Sequence, residues 1–215
     1  MKIVAINGSP KKTKNTSAKI IKEIEEILCM DIKVIKALDL VGESDSNQKI
    51  LSKQIIEADV LLIVCPLYVD ALPSPVVRAM QIIEKESKES DLLPRAYGIS
   101  QCGFFEATHN KIALKIMQNF CSKVGIHWQY GIGIGAGVFL GETKQINSGP
   151  TKAVYNELEK LCKDIKNDLR EVRENSYISP SMLRILYKLG GNIQWKSQAK
   201  KNNVYDKLHD KPFIY

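Results

Sequence analysis

The feature that most constrains this chain is Val60-Leu61-Leu62-Ile63-Val64-Cys65, six consecutive apolar residues halted by Pro66. Successive side chains of a strand point to opposite faces, so a strand that is apolar at every position must be covered on both. That demand is met by a parallel sheet with helices on its two faces. The rest of the sequence follows the same grammar. Residues 2–6 (KIVAI) form a short β-branched run ending at Asn7-Gly8, and 32–38 and 95–101 read as further strands. Residues 126–137 supply a fifth. Between them lie helical patterns: one opening at Thr16 or Ser17 with Ile20, Ile21, Ile24, Ile27 and Leu28 on one face, one over 47–57 turning Ile50, Leu51 and Ile55 inward, and others over 75–87, 109–124 and 151–173. Five strands alternating with helices predict an α/β fold, a doubly wound five-stranded parallel sheet in the order 2-1-3-4-5.

Length and composition fit that outcome. The chain has 215 residues, enough for one α/β domain and an appendage, with 44% apolar and 26% charged residues. No run approaches the ~20 apolar residues of a membrane helix, and residues 1–7 lack the basic head and long apolar stretch of a leader. A cytoplasmic location without membrane attachment is expected. Five scattered cysteines, at 29, 65, 102, 121 and 162, write neither a disulfide framework nor a CxxC pair, so most are expected to be reduced core thiols and no metal ligands are assigned. The net charge of +7 is concentrated at the end. Residues 176–215 hold seven Lys/Arg against Asp206 and Asp210, which divides the chain into a domain over 1–175 and a basic, apolar extension over 176–215.

In a doubly wound sheet, ligands bind outside the carboxyl ends of the strands, where the strand order reverses. The loops after strands 1, 3 and 4 are therefore the candidate site. The first, Gly8–Ser17, is crowded with hydroxyls, an amide and three lysines. Standing alone it reads as a capped helix start in a solvated basic turn. After the first strand of a parallel sheet it reads as a phosphate loop, because a helix N-terminus offers unpaired amide N–H groups and a partial positive charge. The second, Pro66–Ser74, is apolar, stiffened by proline and carries Tyr68, a surface on which a flat heterocycle can pack; an ordinary strand-to-helix connection has the same composition. In the third, Gln101–Asn110, Gly103 permits close backbone approach. There Glu106 and His109 are spaced to meet across a first helical turn, as a helix-start ion pair or a catalytic dyad. Gly131–Gly137 contains a G-x-G-x-x-A match, but it lies within strand 5 with no helix expected directly after it, so it is read as letting another surface approach that strand.

Residues 8–17 resemble the G-S-P-R-x-x-G-N-T/S signature of the NADPH-dependent FMN reductase family of flavodoxin-like proteins. Lys11 stands where the pattern has arginine and Lys14 where it has glycine, so the bidentate phosphate fork is lost. Pro66-Leu67-Tyr68 is similar to that family's P-x-Y segment along the isoalloxazine ring, and Cys102–Asn110 to its C-G-F-x-E-x-x-H-N stretch. The resemblance covers about residues 1–172 and implies FMN as cofactor and NAD(P)H as electron donor. It implies cofactor contacts at Ser9, Lys11, Asn15, Thr16 and Ser17, at Pro66, Leu67, Tyr68 and Val69, and at Gln101, Cys102, Gly103 and Phe104. Related iron-sulfur flavoproteins carry a cysteine cluster after strand 2; residues 39–59 here contain no cysteine, so none is expected.

The resemblance implies an enzyme that passes hydride from NAD(P)H through FMN to a small acceptor such as a flavin or quinone, with no indispensable protein acid or base. A one-electron carrier is the alternative, and the +7 charge argues against it because such carriers are usually acidic. A nucleic-acid-binding tail is disfavoured because its basic residues are interrupted by apolar ones. Those apolar residues, from Met182 through Leu186, Leu189, Ile193 and Trp195 to Phe213, Ile214 and Tyr215, require burial, and two outcomes meet it: packing across a neighbouring subunit, which predicts a homodimer or higher homo-oligomer, or folding back on the same subunit.

Overall fold

In a computed structural model describing residues 1–87 and 93–211, the chain divides into two units, Met1–Ser181 and Met182–Tyr215. The first unit is built on strands β1 (Ile3–Asn7), β2 (Ile32–Lys36), β3 (Val60–Pro66), β4 (Arg95–Gln101), β5 (His127–Ile134) and β6 (Ser176–Ile178). All are parallel, in the order β2-β1-β3-β4-β5-β6. The order reverses at β1, and β1 and β3 are adjacent, so the loops after them leave the sheet side by side.

The unbroken apolar run in β3 separates the core into two. Leu61, Ile63 and Cys65 join Val4 and Ile6 of β1 under one set of helices, while Val60, Leu62 and Val64 join Ile3 and Ala5 on the opposite face. Helices α2 (Ala37–Gly42), α3 (Asp45–Ile56), α4 (Ser74–Ser87) and α5 (Lys111–Val124) cover the first face, through residues such as Leu40, Ile55, Ile83 and Met117. Helices α1 (Thr16–Leu28) and α7 (Lys152–Lys166) cover the second, through Ile20, Ile24, Leu158 and Leu161; α6 (Gly137–Glu142) follows β5. Every β3 residue is buried, which is the condition that its composition imposes.

The sheet has six strands rather than five. β6 pairs with β5 over only three residues, Ile132↔Ser176 to Ile134↔Ile178, too few for a periodic signal. It is held by its surroundings: the Gly131 N–H donates to Asn175 Oδ1 at 2.7 Å, and Ser179 Oγ donates to the Phe105 carbonyl at 2.6 Å. The segment expected to begin the extension at 176 is thus part of the sheet, and the division falls at Ser181. Two local readings also change. Ile50 is 55% exposed, whereas Ile55 is buried. Helix α6 opens directly after β5, contrary to the expectation for the glycine-rich run. Its glycines do admit close neighbours: a Cβ on Gly135 would lie 2.1 Å from the Phe105 carbonyl oxygen.

The second unit holds α8 (Arg184–Lys201) and a following turn at Tyr205–Lys207, over whose Tyr205 ring Lys200 Nζ sits at 5.0 Å. Leu183, Ile185, Leu186, Leu189, Ile193 and Trp195 are all more than half exposed. Phe213, Ile214 and Tyr215 lie outside the described residues. Among the described residues no helix is long and apolar enough to cross a membrane.

Candidate functional site

The loop after β1 is organised by two asparagines. Asn7, buried at the end of the strand, accepts the Ser9 N–H at 3.0 Å, and the Gly8 N–H donates to the Val64 carbonyl of β3 at 2.8 Å. A Cβ on Gly8 would stand 2.4 Å from Val76 Cγ2 and 2.5 Å from Cys65 Cβ, so only glycine lets the turn lie this close to β3 and α4. Asn15, not Thr16 or Ser17, caps α1: its extended backbone leaves Oδ1 to accept the Ala18 N–H at 2.8 Å, while Nδ2 donates back to the Thr13 carbonyl at 3.1 Å. The first turn of α1 contains no acid, and Lys11, Lys12 and Lys14 stand exposed before it. Ser9 is buried and its Oγ accepts the Lys11 N–H at 3.4 Å. Ser17 is fully buried, and its Oγ finds no hydrogen-bond partner among the described residues. The arrangement is a cationic helix N-terminus with a preformed loop, which suits an anion.

Thr16 serves a second purpose that the sequence did not disclose. Its hydroxyl donates to the Gly137 carbonyl at 3.2 Å, and one turn on, Lys19 Nζ donates to the Leu140 carbonyl at 2.9 Å and to Thr143 Oγ1 at 3.0 Å. Burial lowers the Lys19 pKa, offset in part by Glu23 and Glu142. The loop after β5 is thereby fastened to α1 and becomes a fourth wall of the site. Its only sequence signal was the glycine-rich run.

Beyond β3, Leu67 donates its N–H to the Gln101 carbonyl at 2.8 Å, and Tyr68 and Ala71 exchange backbone hydrogen bonds at 3.0 Å each. These close a tight turn in which Val69 and Asp70 both have positive φ, 49° and 57°. For a β-branched residue that conformation is strained, and Val69 is fully exposed at the tip. Leu67 is buried beneath the turn, and Tyr68 is 42% exposed.

Beyond β4, the Cys102 N–H donates to the Ile134 carbonyl at 2.9 Å and its carbonyl accepts from Gly137 at 2.7 Å, so the loops after β4 and β5 run together. Phe104, 54% exposed, stacks on the His109 ring at 4.3 Å between centroids. His109 Nδ1 in turn lies 4.0 Å from the Asp70 carboxylate, so these two side chains link the β4 and β3 loops across the site. Cys102 is buried, and that burial raises its pKa against the hydrogen bonds that it shares with Phe104 and Asn110. It stays a neutral thiol and is not poised as a nucleophile.

All thirteen residues singled out from the sequence lie at or beside the carboxyl edge of β1, β3 and β4. A cavity of about 920 Å³ opens instead at the amino edge, lined in part by Lys49, Lys53, Glu57, Asp59, Arg95 and Asp168. In it Lys53 is paired with Glu57 and Arg95 with Asp168, and it carries none of the loops just described.

The family model described as NADPH-dependent FMN reductase matches residues 1–112, a span that includes the loops after β1, β3 and β4. No curated protein is similar enough to the chain to be matched. Among solved structures, an NADH:FMN oxidoreductase in its apo form superposes with a TM-score of 0.59 at 17% identity, covering 78% of this chain and 89% of that one. The NAD(P)H:quinone oxidoreductase of Methanothermobacter marburgensis gives 0.56 at 13% identity, over 76% and 95%. An FMN-dependent NADH-azoreductase from Bacillus anthracis, solved with FMN, gives 0.55 at 18% identity, over 77% and 99%. At such identities these likenesses establish the shared flavodoxin-like fold.

Proposed function

Because that family model covers just over half of its 215 residues, the chain belongs to the NADPH-dependent FMN reductase family, and we propose that it passes electrons from NAD(P)H through FMN to a small planar acceptor such as a flavin or quinone. It is an oxidoreductase with FMN as cofactor and a nicotinamide as donor. The observation that carries the reading is the meeting, at one sheet edge, of an acid-free helix N-terminus with the loops after β3 and β4, which expose the Tyr68 and Phe104 rings. One end suits a phosphate and the other a flat ring.

The residues fit FMN. Ser9, Lys11, Asn15, Thr16 and Ser17 would hold the phosphate, Lys11 and the α1 N-terminus supplying charge and the orphaned Ser17 hydroxyl a free hydrogen-bonding group. Asn15 acts there by shaping the loop, because both ends of its amide are engaged within it. Thr16 contributes backbone, its hydroxyl being turned to Gly137. Pro66, Leu67, Tyr68 and Val69 would lie along the ring, and Gln101, Cys102, Gly103 and Phe104 along its pyrimidine edge. Bound FMN supplies the hydride-accepting chemistry. The chain's own part is to bind, orient and exclude water, and no side chain is assigned as acid, base or nucleophile; the neutral Cys102 thiol accords with that.

The exposed apolar side of α8 supports a homodimer in which a second copy covers it. We also assign the protein to the cytoplasm, on its free and mostly buried thiols. The test is the visible spectrum of the purified protein supplied with FMN, then anaerobic titration with NADH and NADPH. Bound flavin bleached by either nicotinamide is expected; a protein that takes up no flavin refutes the reading.

A further inference from the structure

Asn110 closes the short turn that precedes α5 and is fully buried. Asparagine at such a position usually caps the helix, but here the side chain makes no cap bond. It turns inward instead. Oδ1 accepts the Ser100 hydroxyl at 2.8 Å, and Nδ2 donates to the Ala107 carbonyl at 2.9 Å and the Ile134 carbonyl at 3.1 Å, with Cys102 Sγ at 3.4 Å. Ser100 lies near the end of β4 and Ile134 ends β5, while Cys102 and Ala107 bracket the loop between β4 and α5. One amide therefore joins two strand ends and both ends of the loop that carries Gly103 and Phe104. The Ile134 carbonyl also accepts the Cys102 N–H, so both its lone pairs are spent on this loop.

A buried amide with both ends satisfied fixes its partners firmly, because any displacement leaves polar atoms unpaired in a low-dielectric interior. Its partners are polar atoms of the two strand ends and of the loop between β4 and α5. We propose that Asn110 is the positioning residue for the ring end of the flavin site, holding the Cys102–Phe104 backbone against the edge of the isoalloxazine where negative charge gathers on reduction. The inference rests on the FMN reading above and adds to it how the ring end is preorganised.

The test compares FMN with riboflavin, which lacks the phosphate. In Asn110→Ala, both should bind at least about tenfold more weakly, by the same factor, since the loss is at the ring. The midpoint potential of bound FMN should fall. If the ratio of reduced to oxidised affinity drops tenfold, the two-electron potential falls by about 30 mV. Ser100→Ala removes one of the amide's bonds and should shift both quantities in the same direction by less; it decides the matter if Asn110→Ala does not fold. A variant that loses thermal stability while keeping its flavin affinities and potential shows a structural role only and overturns the proposal. So does a loss confined to FMN. Parent protein that takes up no FMN overturns the FMN reading itself, and this inference with it.

Discussion

Asn15 offers the sharpest test of where the phosphate sits, because its structural and electrostatic effects separate. Asn15→Ala removes the cap bond to Ala18, worth about 1 kcal/mol, and the bond to the Thr13 carbonyl, worth roughly 0.5 to 1. A loss of about 2 kcal/mol lowers the melting temperature of a chain this size by roughly 4 to 8 °C. Asn15→Asp keeps a good cap and so keeps most of that stability, but it places a carboxylate at the α1 N-terminus. At roughly 5 Å from a phosphate and an effective dielectric near 20, each unit of charge costs about 3 kcal/mol, more than a hundredfold in affinity. Asn15→Ser is the neutral control: it caps well, loses the Nδ2 donors and adds no charge. The assay is titration of FMN and riboflavin by flavin fluorescence at low salt, alongside thermal unfolding. The expected order of FMN affinity is parent, then Ser, then Asp far below, with riboflavin affinity nearly constant across all three. An Asn15→Asp protein that binds FMN as tightly as the parent would refute a phosphate at this helix end.

Two further outcomes follow from burial. Burial pushes the Cys65, Cys121 and Cys162 thiols up to about 12 from an ordinary 9. With the folded values raised, the stabilisation is fully present below pH 9 and is lost as the pH rises toward 12, because the unfolded chain releases protons that the native one retains. The slope reaches about 1.4 kcal/mol per pH unit for each thiol, and denaturant midpoints measured from pH 8 to 11 should fall accordingly; a flat profile contradicts it. For the same reason Cys29, the exposed cysteine, should be alkylated in the native protein at pH 8 while the four buried thiols react only on unfolding. In the C-terminal unit, Ile185→Asp with Ile193→Asp puts charges on the exposed apolar side of α8 and should convert a dimer to a monomer by light scattering; a protein that remains dimeric shows that this surface serves something else.

The architecture was legible because burial on two faces leaves a mark that a single sequence retains. A strand with helices above and below must be apolar throughout, as Val60–Cys65 is, and the spacing of such runs fixed the crossovers and hence the end of the sheet where a ligand enters. The candidate phosphate loop was legible as a candidate too, since hydroxyls and lysines after the first strand are local chemistry. What the sequence could not disclose depends on contacts between distant residues. β6 has three half-buried residues and exists because Asn175 and Ser179 find partners on β5 and the β4 loop. The cap fell to Asn15 rather than its neighbours because the loop's path placed that amide over the first turn of α1. His109 lies beside Asp70, thirty-nine positions earlier, because β3 and β4 are neighbours and their loops leave the sheet together. Thr16 and Lys19 reach residues more than a hundred positions away, so the β5 loop joins the site only once α1 has docked. Local composition determines which elements form and which face they bury; a hydrogen bond across such distances exists only after the sheet has brought its ends together, and the finer shape of the site is made of those bonds.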